Sequence, residues 1–250
     1  MSTMAAPTRI FMTGVSGYIG GQIATDICKK HPEFHLFGLV LNTTQAQQIK
    51  EKLPSVETVL GDIASHAILV EQASKANIVI QSADCENVPV VQSLIVGIAQ
   101  GGKGGTSIQV SGAASICEIP NGYGQPSSKI WDDVKDFEEI RNFDSSHLHW
   151  DADGAVFREG IKTGVRTAHI VPPIVYGDGE GPVKITSISF PWLEEAIVKR
   201  VKGFVAGGRV ETPGLESTRR TYLLRSSCSW RMHWRAFMGR HLGDKTVCIT

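Results

Sequence analysis

The stretch Thr13-Gly14-Val15-Ser16-Gly17-Tyr18-Ile19-Gly20 decides the fold of this chain. It follows a short apolar run that ends at Met12, and it opens a segment whose isoleucines recur every four residues. A strand, a glycine-rich turn and a helix in that order bring backbone amides and the positive end of a helix dipole to one point. The stretch therefore predicts a phosphate-binding turn of the dinucleotide type.

Each glycine of the turn has its own task. Gly14 permits the tight turn, Gly17 lets backbone amides approach a pyrophosphate, and Gly20 lets the helix pack closely on the sheet. The other residues that we expect to line the cofactor here are Thr13, Ser16, Tyr18 and Ile19. A strand–helix turn that holds no ligand is the alternative interpretation.

Short apolar runs and helical periodicities alternate along the first two thirds of the chain. They predict strands at 9–12, 35–41, 56–60, 77–81, 107–111 and 165–171, and helices at 18–30, 43–53, 64–75, 88–100 and 153–162. Apolar strands separated by helices form parallel sheets that are covered on both faces. The predicted fold class is therefore α/β, a Rossmann-type doubly wound parallel sheet. We expect the charged segment 131–143 to form a solvated helix over the sheet edge.

Composition sets limits on the function. The chain has 250 residues, of which 42% are apolar, so one core needs neither a disulfide nor a metal to fold. No apolar run is long enough to cross a bilayer. The five cysteines have no metal-binding spacing and predict buried, reduced thiols. We expect a cytoplasmic protein that holds no metal and binds neither membrane nor nucleic acid; the sequence does not indicate its oligomeric state.

The glycine pattern resembles that of a known family when it is taken together with two later motifs, Gly61-Asp62 and Val171–Gly177. The chain resembles the extended short-chain dehydrogenase/reductases, in particular the fungal NAD-dependent epimerase/dehydratase-like proteins that neighbour the NmrA-like group. The resemblance covers about 10–205 and implies oxidoreduction or epimerisation of a small hydroxyl- or carbonyl-bearing metabolite. The cofactor contacts that it implies beyond the glycine turn are Asp62, Ile63, Ala83, Pro172 and Val175.

The residues after the second strand bear on the choice between NAD and NADP. NAD-binding proteins usually place an acid there and NADP-binding proteins an arginine, whereas this chain has Leu41-Asn42-Thr43-Thr44. Asn42 is able to bond a ribose hydroxyl, and the missing cation disfavours a 2′-phosphate. We therefore predict NAD, with NADP as the alternative.

Catalytic residues are harder to assign. Reductases of this family use a Tyr with a Lys four residues later, and the chain contains no such pair. One hypothesis is a displaced couple formed by Tyr123 and Lys129. The other is an acid–base pair of His149 and Asp153, which share a helix face at a spacing of four; the same two residues also suit a purely structural pair.

Two serines near the fifth strand complete the predicted site. Ser111 and Ser115 are placed to hold a substrate carbonyl, and a capping or turn role suits both equally well. Because the catalytic pattern is incomplete, whether the chain is an enzyme stays undecided at this stage. The alternatives are a catalytically silent NAD(P)-sensing module and a non-functional truncated product.

The C-terminal part differs from the rest in composition. Six arginines and no acidic residue lie between Ser217 and Gly243. We predict an NAD(P)-binding domain with the start of a substrate lobe at 1–208, and an Arg-rich segment of uncertain structure at 209–250. We interpret this as an incomplete substrate lobe with a truncated or aberrant end. A polyanion-binding arm and an unrecognised lobe are the alternatives.

Overall fold

The computed structural model describes residues 6–117, 129–201 and 247–249. Its strands are β1 (Arg9–Thr13), β2 (His35–Val40), β3 (Glu57–Leu60), β4 (Ile78–Gln81), β5 (Thr106–Val110), β6 (Arg166–Ile170) and β7 (Val247–Ile249). Its helices are α1 (Tyr18–Lys30), α2 (Thr43–Lys52), α3 (His66–Ser74), α4 (Val88–Gly101), α5 (Phe137–Ile140), α6 (Trp150–Thr163) and α7 (Ser189–Arg200). The strands form one parallel sheet in the order β3-β2-β1-β4-β5-β6-β7.

Both faces of the sheet are buried, which confirms the predicted doubly wound α/β fold. In β1, Ile10 and Met12 pack into a core that α1 and α2 cover, whereas Phe11 packs into a second core under α3, α4 and α6. Successive side chains of a strand point to opposite faces, so each residue of β1 serves one of the two cores. Strands β2 and β3 are added to one side of β1 and β4 to β7 to its other side, so the strand order reverses between β1 and β4. Ligands of such folds bind at this switch point.

Capping residues and terminal charges mark the ends of helices α1 and α4. The basic pair Lys29 and Lys30 lies in the last turn of α1, where it complements the negative end of the helix dipole. At the start of α4, the Asn87 side chain accepts a hydrogen bond from the amide of Val90, and Gly102 ends the helix in the left-handed conformation. The two caps therefore set where α4 begins, after the loop that follows β4, and where it ends, before β5.

The segment 131–143 differs from the prediction of a solvated helix. Only the short α5 is helical within it, and Trp131, Phe137 and Phe143 pack around a third apolar cluster. Trp131 and Phe143 meet edge to face with ring centroids 5.0 Å apart. Burial of these aromatic rings outweighs the solvation of the neighbouring charges, which remain at the surface.

The C-terminal segment contributes one described strand. β7 adds in parallel to the outer side of β6, and residues 202–246 and 250 lie outside the described part. The predicted boundary at 208 therefore stays a prediction. Before it, α7 buries none of its residues, and Trp192 is 77% exposed. Among the described residues, no helix combines the length and the apolar character that a membrane crossing needs.

Three cysteines, Cys28, Cys85 and Cys117, are less buried than the sequence predicts. Cys28 and Cys85 are half-buried and Cys117 is exposed, and all three are free. Cys28, near the end of α1, packs partly against the core under α1 and α2, whereas Cys85 and Cys117 lie outside the strands and helices α1–α7.

A buried hydrogen-bond network attaches α6 to β6 and to the end of β5. The Asp153 carboxylate accepts a hydrogen bond from the Ser111 hydroxyl at 2.7 Å and lies 2.8 Å from Nε2 of His169. Asp153 on α6 and His169 on β6 are almost fully buried, and Ser111 directly follows β5. Buried polar groups are stable in a core when all of them are paired, so these hydrogen bonds fix the position of α6.

Replacing Asp153 with leucine should destabilise the fold strongly. The change leaves the Ser111 hydroxyl and the His169 ring buried without their partner, and removal of one member of a buried pair typically costs about 3–5 kcal/mol. Asp153→Asn keeps an acceptor and adds a donor, so it should cost clearly less. Urea denaturation followed by circular dichroism measures both, and equal losses in the two variants would contradict the assigned hydrogen bonds.

Candidate functional site

The glycine turn lies against the end of β4. Gly14 has φ +76°, and a Cβ on it would stand 2.6 Å from the carbonyl carbon and oxygen of Ser82. The Ser82 hydroxyl donates a hydrogen bond to the carbonyl oxygen of Thr13 at 2.7 Å. Any side chain at Gly14 would push the two strand ends apart, so this close approach requires glycine.

The other two glycines draw the start of α1 onto the turn. The Gly17 amide donates to the carbonyl oxygen of Gly14 at 2.8 Å, and a Cβ on Gly17 would lie 3.0 Å from the same oxygen. A Cβ on Gly20 would overlap that oxygen and stand 2.5 Å from the Ser82 hydroxyl. No side chain caps the N-terminus of α1. Its positive end is therefore available to an anion at the switch point.

A buried hydroxyl lies at the base of the turn. Thr13 is fully buried, and within the described residues its Oγ1 atom has no hydrogen-bond partner. Because the Thr13 side chain has no exposed surface, its hydroxyl does not face the crevice, and its predicted contact with a cofactor stays a prediction.

The segment after β6 covers the start of α1. The Tyr18 hydroxyl donates to the carbonyl oxygen of Gly177 at 2.8 Å, and the amide of Lys184 donates to the carbonyl oxygen of Ser16 at 3.3 Å. Ile19 is half-buried next to them. The predicted contacts Ser16, Tyr18 and Ile19 thus border the turn, and the Tyr18 ring also secures the segment 177–184.

The Asn42 side chain has a structural partner that sequence reasoning did not assign. Its Oδ1 atom accepts a hydrogen bond from the amide of Gln45 at 2.9 Å and caps α2. Leu41, the residue before it, is 62% exposed. The oxygen of Asn42 therefore already accepts one hydrogen bond from the helix, and its side-chain NH2 group is the part that keeps its full hydrogen-bonding capacity for a ribose.

The remaining predicted cofactor contacts follow three different strands. After β3, Asp62 is exposed and its Oδ1 accepts from the amide of Ala64 at 2.9 Å, while Ile63 packs partly on the core. After β4, the amide of exposed Ala83 donates to Oε1 of Gln81 at 2.9 Å. All three residues follow carboxyl ends of strands: Ala83 follows β4, which flanks the switch point, and Asp62 and Ile63 follow β3 at the edge of the sheet.

Pro172 and Val175 lie beyond the carboxyl end of β6. Pro172 is buried, and its carbonyl oxygen accepts a hydrogen bond from the amide of Ala113 at 3.0 Å. Val175 is half-buried in the same loop. The hydrogen bond links this loop to the segment that follows β5, where Ser111 and Ser115 lie.

The structure does not bring the side chains of His149 and Asp153 together. The Asp153 carboxylate faces Ser111 and His169, and only its backbone amide reaches His149, donating to the carbonyl oxygen at 3.0 Å. The predicted side-chain pair is wrong because His149 precedes α6 with φ +67° and does not share its helical face. His169 is a partner that the sequence did not suggest, although a histidine between Ala168 and Ile170 in an apolar strand was its available signal.

His149 instead meets two residues from the loop after β4. Its Nδ1 atom contacts Oε1 of Glu86 and lies 3.7 Å from Sγ of Cys85. Burial, followed by the negative charges of Glu86 and Asp153, raises the pKa of the Cys85 thiol to about 11. Sequence reasoning missed Cys85 and Glu86 because both are distant from His149 along the chain.

The other candidate catalytic groups have structural partners. The Ser115 hydroxyl donates to the carbonyl oxygen of Gly112 at 3.1 Å, which matches the alternative turn role. The Lys129 ammonium pairs with Glu139 and lies 3.8 Å from the centre of the Trp131 ring. Tyr123 lies outside the described residues, so the couple that it was predicted to form with Lys129 stays a prediction.

Comparisons with known proteins agree with the fold. No protein-family profile matches the chain. It is 29% identical over 199 residues to a protein described as oxidase ucsJ, from an Acremonium species. That alignment takes in 77% of this chain and 57% of the relative, so the chain spans little more than half the relative's length.

Several solved structures share the architecture. The enzyme WbmH of Bordetella bronchiseptica, in complex with NAD+, superposes with a TM-score of 0.51 at 15% identity, over 78% of this chain and 63% of its own. The UDP-glucuronic acid 4-epimerase of Bacillus cereus, in complex with NAD, superposes with a TM-score of 0.50 at 16% identity, over 70% of this chain and 60% of its own. The PbgP3 protein of Burkholderia pseudomallei superposes with a TM-score of 0.53 at 15% identity, over 77% of this chain and 62% of its own. These likenesses confirm the Rossmann-type α/β fold that the sequence predicts.

Proposed function

We propose that this chain binds NAD(H) and acts in the cytoplasm as an oxidoreductase or epimerase on a small metabolite that carries a hydroxyl or carbonyl group. The observation that carries the proposal is the glycine turn at the switch point, where Gly14 packs on Ser82 and the amino end of α1 has no side-chain cap. Two of the solved structures with the same fold are described as NAD complexes, which supports the choice of ligand.

The residues at the turn fit a dinucleotide. A pyrophosphate placed at Gly17 would meet the positive end of α1. Asp62 and Ala83 would border the adenosine half, and Pro172 and Val175 the nicotinamide half. Between Leu41 and Ile49 the chain has no basic residue, so it offers no cation for a 2′-phosphate, and this favours NAD over NADP.

The chemistry would take place beyond the carboxyl ends of β4 and β5. A bound dinucleotide supplies a hydride acceptor or donor there. Ser111 and Ser115 each direct their hydroxyl proton to another protein atom, so they are not free to donate to a substrate carbonyl. His149 is then the predicted residue placed to move a proton, because Glu86 holds its Nδ1 atom and the ring lies beside Gly112.

Replacing Gly17 with valine should abolish NADH binding. The new side chain would occupy the space next to the Gly14 carbonyl oxygen where the pyrophosphate is expected. Isothermal titration calorimetry with NADH and NADPH measures this, and the wild type should prefer NADH. Gly104→Asn is the matched control, since it changes an exposed glycine with φ +62° that has open space around it. Wild-type affinity in Gly17→Val would mean that the turn is purely structural.

Replacing His149 with alanine should reduce kcat by about 10²–10⁴-fold, the usual contribution of a general acid–base group, while NADH affinity stays almost unchanged. Turnover is followed at the NADH absorbance across a panel of small alcohols and carbonyl compounds, with EDTA present. His66→Ala, which changes an exposed histidine on α3, is the control. Turnover that survives in His149→Ala but disappears in Tyr123→Phe would transfer the role to the Tyr123/Lys129 couple.

A sensing module without turnover is the second candidate function. The absence of any Tyr-x-x-x-Lys sequence favours it, as do the serine hydroxyls that are already hydrogen-bonded. The two functions separate in the same assays. Tight NADH binding with no turnover across the whole panel would support the sensor and contradict the enzyme.

A further inference from the structure

Three side chains of different chemistry converge beside the proposed reaction centre. Cys85 and Glu86 lie in the loop between β4 and α4, and His149 lies directly before α6. Their Sγ, carboxylate oxygen and Nδ1 atoms are all within 4.8 Å of one another. The carboxylate of Glu86 contacts Nδ1 directly, and Cys85 Sγ lies 3.7 Å from it.

This donor set matches a transition-metal site in type and spacing. Thiolate, imidazole and carboxylate are the three protein ligands that zinc uses. Bond lengths of about 2.3 Å to sulfur and about 2.1 Å to nitrogen place those two ligand atoms about 3.6 Å apart in a tetrahedron. The observed separation of 3.7 Å between Cys85 Sγ and His149 Nδ1 agrees with that value.

The backbone holds His149 in position for this role. Its φ of +67° is the left-handed conformation that residues other than glycine seldom adopt, and such strain is retained mainly where function or packing requires it. A Cβ on Gly112 would lie 3.3 Å from Nε2 of His149, so the ring is close to the backbone on that side while Nδ1 faces Cys85 and Glu86.

The surroundings of the cluster are negatively charged. Asp84, Glu86 and Asp153 all act on the Cys85 sulfur electrostatically. Of these, Asp153 is hydrogen-bonded to Ser111 and His169, whereas the Glu86 side chain pairs with His149 and is 58% exposed. Clustered anions favour a bound cation, and the exposed side of the cluster leaves it a path from solvent.

We propose that Cys85, Glu86 and His149 bind a zinc ion, with the fourth position open to water. Three protein ligands with one open position are the arrangement of reactive rather than purely structural zinc sites. On binding, the metal replaces the thiol proton of Cys85, which passes to solvent, and it takes the place beside Nδ1 where the Glu86 oxygen now lies. The inference goes beyond the proposed function and does not depend on it, since zinc binding needs neither cofactor nor substrate.

Cobalt titration of the full chain tests the proposal, because Co²⁺ reports its ligands in the absorption spectrum. After EDTA treatment and desalting, one equivalent of Co²⁺ should give visible bands of tetrahedral type and a near-ultraviolet band from the thiolate. Added Zn²⁺ should remove both. Cys85→Ser should lose the thiolate band, whereas the matched control Cys117→Ser, which changes an exposed thiol after β5, should keep it.

Two further variants locate the other ligands. His149→Asn, whose new residue tolerates the left-handed backbone, and Glu86→Gln should each lower Zn²⁺ affinity by more than about tenfold, since even outer-shell partners of metal ligands typically contribute 10–100-fold. Circular dichroism and Tm confirm that each variant is folded. No thiolate band in the wild type, or a band and a zinc affinity unchanged in Cys85→Ser and His149→Asn, would overturn the proposal and leave an ordinary Glu86–His149 ion pair. NADH calorimetry on the metal-free protein tests the dinucleotide proposal separately.

Discussion

The close approach of the Gly14 backbone to Ser82 is the constraint on which the rest of this structure depends. It joins the end of β1 to the end of β4, and the bond from Ser82 Oγ to the Thr13 carbonyl oxygen closes the same contact. Since the strand order of the sheet reverses between these two strands, this contact also defines the crevice in which a ligand of such a fold binds. The glycine at position 20 then lets α1 begin directly above it.

A second constraint acts on the opposite side of the crevice. Asp153 binds both Ser111 and His169, and so it ties α6 to the strands on either side. Because α6 is fixed there, the residue that precedes it, His149, is held over the loop after β4 and meets Cys85 and Glu86. One buried carboxylate thus sets the position of His149 relative to the loop after β4.

Local patterns in the sequence were sufficient to predict the sheet and the turn. The helix at 18–30 has the predicted bounds, and the strands agree to within a residue or two, because burial on both faces leaves a strong apolar signal. The glycine turn is equally local. Its geometry depends on residues of one short stretch and on the strand end that faces it.

Side-chain partners were predicted less well, and the reasons are physical. A spacing of four pairs two residues only if both are helical, and His149 adopts a left-handed conformation before the helix begins. The side-chain oxygen of Asn42 accepts a hydrogen bond from the amide of Gln45, because capping α2 competes locally with a ligand for this oxygen. Cys85 and Glu86 are distant from His149 in sequence and contact it only in the folded sheet, so no local spacing predicts that contact.

The most direct test of the central claim, that a dinucleotide pyrophosphate binds at the start of α1, is NMR titration of the ¹⁵N-labelled full chain with NADH. The account predicts saturable shifts of the backbone amide signals of Gly14, Gly17 and Ile19, with much smaller shifts for amides at the amino ends of the strands, such as that of Gly104. Unchanged signals at the glycine turn, or saturable shifts confined to another part of the chain, would contradict it.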